Sequence, residues 1–190
     1  MAKNDQQESY EKVLTSLLLR IHDNQKFAET KNAALLTFCS AWILAAIAQS
    51  IHNTRLPEEY EKAIAWALPW FVGGAAVALT SLLPRMNLPK MSEGRSIRNL
   101  LFFGHISAMA PAAFAADIRK SYFPVEGDAA TAEYLTALEA QIHANAKITS
   151  RKHRLFFCGA TTTMVGVFIL AMPQFLRLAK MIGELSKQIA

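Results

Sequence analysis

Residues 155–176 read LFFCGATTTMVGVFILAMPQFL, 22 positions without one charged side chain. As a helix rising about 1.5 Å per residue, that run crosses a hydrocarbon core of about 30 Å. Working back along the chain, two further runs have the same character: Ala63 to Leu83, 21 residues without a charge, and Ala33 to Ile51, 19 residues without one. Pro69, Gly73, Gly74 and Pro173 lie inside these runs. They would weaken helices in water, but lipid-embedded helices tolerate them, and glycine lets neighbouring backbones approach closely. The expected fold class is therefore all-α: a membrane protein with three transmembrane helices.

A fourth apolar segment, Leu100 to Ala116 (LLFFGHISAMAPAAFAA), is decided by charge placement. Lys and Arg number five in residues 1–31, two in 52–62, ten in 84–154 and three in 177–190. With three spans, the N-terminus and residues 84–154 share the cytoplasmic side and hold fifteen of the twenty basic residues, as the positive-inside rule requires. A crossing by 100–116 would export the six basic residues from Arg119 to Arg154. That segment is read instead as the buried part of a cytosolic domain. Three basic residues after the last span, Arg177, Lys180 and Lys187, fall on the far side and do not fit the rule.

The implied organisation is a cytosolic N-terminal helix over 1–32, a two-helix transmembrane hairpin over 33–83, a cytosolic helical sensing domain over 84–154, the third transmembrane helix over 155–176 and a tail over 177–190. The polar stretch from Met1 to Lys31 has no cleavable-signal pattern. Tyr10, Val13, Leu14, Leu17, Leu18 and Ile21 follow helical spacing, which predicts an amphipathic helix whose apolar face packs on the cytosolic domain, lies on the membrane or blocks a pore mouth. Pro111 suits the first turn of a helix reaching Tyr122, and Pro124 to Asp128 is a break. From Ala129 to Phe157 there is neither Gly nor Pro, which predicts one helix running directly into the third span.

On that helix His143, Lys147, Arg151 and Arg154 share a face distinct from the apolar one, a row of donors for phosphate. The competing reading is that basic residues at the cytoplasmic end of a span anchor it to anionic lipid, which suits Lys152 and Arg154 better than His143 or Lys147. His105, within FFGHIS, reads as a core histidine on its own.

Composition narrows the function. The 190 residues are 52% hydrophobic and 18% charged, with mean hydropathy +0.17, a formal charge of +5 and a pI near 9.3. Disorder and a multi-domain enzyme are disfavoured, and the water-facing parts favour an anionic partner. Cys39 and Cys158 sit far apart inside apolar runs, so neither a disulfide scaffold nor a zinc site is supported. The chain has no dinucleotide fingerprint, phosphate-binding lysine loop, nucleophile elbow or HExxH pair, so no catalytic residue, metal or cofactor is expected.

Three stretches, FAETKNAALLTF (27–38), RNLLFFGHI (98–106) and QIHANAKITSRKHR (141–154), resemble the recurring motifs of the transmembrane effectors of Pycsar antiphage systems. The related Hailong channel effector is similar as well. The resemblance spans roughly residues 20–170 and preserves the order of two spans, a cytosolic segment and a final span. It implies a bacterial inner-membrane, multi-pass protein that senses a nucleotide second messenger or oligonucleotide made by a partner cyclase or nucleotidyltransferase. Activation would permeabilise the membrane. The resemblance offers Asn99, His105, His143, Asn145, Lys147 and Arg151 as ligand contacts. Cys39 and Ser40 stand where the family favours Asn or Gly.

One protomer with three spans cannot enclose a channel, so symmetry must supply the wall; the resemblance implies a tetramer in membrane lipid. Thr161, Thr162 and Thr163 are candidates for a wettable lumen ring, against the simpler reading that they bond back to their own helix. A non-conducting scaffold that recruits another protein and a lipid-acting enzyme remain the alternative classes.

Overall fold

The computed structural model describes residues 3–52, 56–83, 100–126 and 128–189. About 90% of the described residues are helical, and there is no strand among them. The elements are α1 (Lys3–His52), α2 (Glu58–Leu82), α3 (Phe103–Ser107), α4 (Pro111–Tyr122) and α5 (Ala132–Ile189).

Helix α1 has 50 residues and contains neither Gly nor Pro, so nothing in its backbone chemistry interrupts it where the charged N-terminal part becomes apolar. The sequence places a boundary at residue 32; the helix runs through it. Pro57 precedes α2, whose first turn carries Glu58, Glu59 and Glu61, favourable charges at a helix N-terminus. Helix α5 has 58 residues and continues through Pro173 to Ile189, beyond the expected end of the third span at 176. Contour lengths of about 75 Å for α1 and about 87 Å for α5 are more than twice a hydrocarbon core. Three helices, α1, α2 and α5, are long and apolar enough to cross a membrane.

Residues 100–116 do not form a span. Ala108 to Ala110 separates the short α3 from α4, which begins with Pro111 at its first position. Helix α4 also buries no residue, and among the described side chains of this segment Leu100, 4% exposed, is the one that is buried. The expectation that this segment is the buried part of a cytosolic domain is narrowed: Leu101, Phe102, His105, Ile106 and Phe114 are half-buried, while α4 exposes small alanines at 112, 113, 115 and 116, which offer little area for burial.

The chain divides into two compact units, Met1–Phe27 with Pro84–Arg151, and Ala28–Leu83 with Lys152–Ala190. In the first, α1 and α5 are joined by Tyr10 Oη donating to Glu139 Oε1 at 2.6 Å and by His22 Nε2 with Asn145 Nδ2 at 3.1 Å. Leu14, 5% exposed, is buried in this unit, whereas Tyr10, Val13 and Leu17 stay exposed. The apolar stripe is therefore wider than the surface that covers it.

The second unit is a three-helix membrane core. Contacts Glu29–Lys152 and Cys39–Thr163 advance together along α1 and α5, so the two run parallel; Tyr60 meets Gln174, so α2 returns antiparallel. Cys39, Ala67 and Phe71 form its centre with Leu35, Ile43 and Leu170. Trp42 stacks on Phe71, 5.7 Å between centroids at 12°. A Cβ at Gly74 would collide with the Thr163 hydroxyl and stand 3.1 Å from Cys39 Sγ. The Gly73-Gly74 pair thus serves close helix packing, the role its position in a span suggests.

Candidate functional site

The sequence-selected ligand residues occupy distinct places. His143 and Lys147 are exposed on α5, two adjacent turns of one face, with Arg151 half-buried in the same unit. Arg154, exposed and further along α5, belongs to the membrane unit. Asn145 lies on the other side of the helix, 8% exposed, with its amide committed to His22. It fixes α1 against α5 instead of standing beside Lys147 in the donor row. His105 is half-buried in α3, its ring edge-on to Phe102 at 5.5 Å. Asn99 lies outside the described residues.

The basic row is an electrostatic surface. Lys147 and Arg151 stand one turn apart, a spacing at which two cations share one phosphate or contact successive ones, by charge-assisted hydrogen bonds. Aromatic groups stand elsewhere in this unit. Tyr122 and Tyr134 meet edge to face at 5.5 Å, and burial raises both phenols above their ordinary range; Glu11 beside Tyr134 adds to its shift. Tyr10 is raised by donating its hydrogen bond to Glu139. Among the described residues, no three His, Cys, Asp or Glu side chains gather as a metal site.

C-terminal to the donor row, α5 carries a polar lock of the membrane unit, whose polar residues lie inside the motifs at 27–38 and 141–154 although the motifs do not show that they pair. Lys152, its side chain 16% exposed, is ion-paired and hydrogen-bonded with Glu29, and Lys31 sits 5.4 Å above the Phe156 ring. Asn32 is fully buried; its Nδ2 donates to Ala28 O at 2.8 Å and to Lys152 O at 3.4 Å, while its Oδ1 has no hydrogen-bond partner. The signal for these residues was present as polar side chains at the start of a span, but their pairing depends on a register between helices 123 positions apart.

The three threonines all bond back to their own helix: Thr161 to Phe157 O at 3.0 Å, Thr162 to Cys158 O at 2.8 Å and Thr163 to Gly159 O at 2.8 Å. Thr163 is also 3.2 Å from Cys39 Sγ and buried, Thr162 is half-buried and Thr161 exposed. Within one protomer, only Thr161 has its side chain well exposed.

Comparison with known proteins places this arrangement in a family. The model of the Pycsar effector protein domain matches residues 13–178. The chain belongs to the Pycsar effector family. A Pycsar effector protein of a Rhizobium species, RsPycTM, is 36% identical over 157 residues, covering 83% of this chain and 90% of that one. No solved structure matches. The family places this Pycsar effector in antiphage defence as a transmembrane protein.

Proposed function

We propose that this Pycsar effector is a homo-oligomeric channel of the bacterial inner membrane, gated by a cyclic nucleotide bound to the donor row of α5. The observation that carries the reading is the continuity of α5: one uninterrupted helix holds His143, Lys147 and Arg151 and then the apolar third span. Pycsar effectors respond to cyclic nucleotide signals made by a partner cyclase, which supplies the class of ligand.

Gating follows from differential affinity. A ligand that contacts Lys147 and Arg151 more tightly in one arrangement of the helices shifts the population toward it. Driving the equilibrium from 1:99 to 99:1 takes about 5.5 kcal/mol. Shared among four sites of a tetramer this is about 1.4 kcal/mol each, a ten-fold preference that one charge-assisted hydrogen bond supplies. His105 is a second contact for the ligand. Thr161 is the favoured lumen residue, because its exposed side chain remains free to face a symmetry axis.

The test is ion flux from liposomes containing the purified protein, with cyclic nucleotides added on the side of residues 84–154. Wild type releases ions on addition of its cognate nucleotide, and Lys147→Glu with Arg151→Glu weakens nucleotide binding at least ten-fold without loss of membrane insertion. Calorimetric affinity equal to wild type in the double variant places the site elsewhere. Nucleotide binding without ion flux makes the protein a sensor that recruits another protein.

A further inference from the structure

In the membrane unit, the C-terminal part of α1 and the N-terminal part of α2 separate around a cavity of about 370 Å³. Trp42, Ala45, Phe71 and Leu170 form its apolar walls. The pocket is half open, with Gln49 in its lining, and its volume is more than twice the about 150 Å³ at which an enclosed apolar cavity accepts a hydrocarbon ligand. Tyr60 marks one end. Its ring lines the cavity, its hydroxyl donates to Gln174 Oε1 at 2.7 Å, and the Arg177 guanidinium lies 4.9 Å over its face. A cation is thereby held beside a hydrocarbon-sized chamber. Of the nearby carboxylates, Glu58 is 2.6 Å from Lys62, Glu59 is exposed, and Glu61 lines the adjoining cavity, which shares Gln49 with this one.

We infer that this cavity is a phospholipid site, with one acyl chain between Trp42, Phe71 and Leu170 and the lipid phosphodiester on Arg177. The charge complementarity is specific: a soluble anion has no use for the apolar chamber, and an uncharged hydrocarbon has none for the guanidinium. Phosphate accepts two parallel N–H bonds from arginine, and the aromatic face that orients Arg177 leaves those donors available. The site also gives a role to a basic residue after the third span that the topology rule leaves unexplained. It does not rest on the nucleotide reading.

The test uses delipidated full-length protein in nonionic detergent, with Trp66→Phe and Trp70→Phe leaving Trp42 as the only tryptophan. Phosphatidylglycerol with brominated acyl chains is titrated while Trp42 fluorescence is read. The site predicts saturable quenching at one lipid per chain, and brominated diacylglycerol, which lacks the phosphate, needs about ten-fold more for the same effect. Arg177→Gln brings the two lipids together, and Ala45→Phe removes the saturable phase. Quenching that rises linearly without saturating, or curves that are the same for both lipids in wild type, overturns the proposal. Should Ala45→Phe fail to fold, Arg177→Gln on its exposed side chain and the lipid pair decide the question.

Discussion

At the scale of single residues, neighbouring positions on one helix have opposite duties. His143 and Lys147 face water, while Asn145 between them is buried against His22. Position in a motif did not reveal that division, because a 100° step per residue separates faces only when the partner helix is known. Among the described glycines Gly74 leaves the least room for a Cβ: Gly74→Val should force α2 away from Thr163 and Cys39 and lower thermal stability by about 1–3 kcal/mol, seen as a reduced Tm in detergent. The buried phenols give a pH signature. Burial raises Tyr122 and Tyr134, so the stability they contribute is fully present below the ordinary phenol value of about 10 and is lost as pH rises through their elevated values. Ultraviolet titration should show phenolate appearing late, and Tyr122→Phe or Tyr134→Phe should each remove part of that late phase.

At the scale of elements, α5 keeps one rhythm from Leu138 to Pro173. Leu138, Asn145, Thr149, Lys152, Phe156, Gly159, Thr163, Gly166 and Pro173 are buried or half-buried at three-, four- or seven-residue intervals, the repeat of a coiled-coil seam. Its helical course was legible from the lack of Gly and Pro between 129 and 157. The fusion of the N-terminal helix with the first span was not, because Lys26, Glu29 and Lys31 change the hydropathy without changing the backbone. Those charges matter for the Glu29–Lys152 lock. Removing one partner strands a charge where α5 enters the membrane unit, so Glu29→Gln should destabilise by about 1.5–3 kcal/mol. The double variant Glu29→Gln with Lys152→Met replaces the pair by uncharged groups and should recover most of that loss. A double-mutant cycle on thermal unfolding measures the difference.

For the whole molecule, the three helices long and apolar enough to cross a membrane predict that residues 3–27 and 100–126 lie on one side of it. Cysteines introduced at Ser121 or Glu126 should therefore resist an impermeant thiol reagent in intact cells and react after permeabilisation. Efficient labelling in intact cells would reverse the orientation. The span count was legible because charge placement rejected residues 100–116. The contacts that hold the spans together were not, since they join positions more than a hundred residues apart.

The parallel course of α1 and α5 in the membrane unit bears on how the protein is made. Synthesis delivers α1 and α2 first, and residues 84–131 follow before α5 begins. At about 5–20 residues per second, that gap lasts about 2–10 s. During it the nascent hairpin has neither the Lys152 carbonyl for Asn32 nor Thr163 for Cys39. Asn32 keeps its bond to Ala28 O, within its own helix, which limits the cost of meeting lipid. Insertion thus passes through a seconds-long hairpin with an open seam, and it is in that interval that the insertion machinery must shield α1 until its last partner emerges.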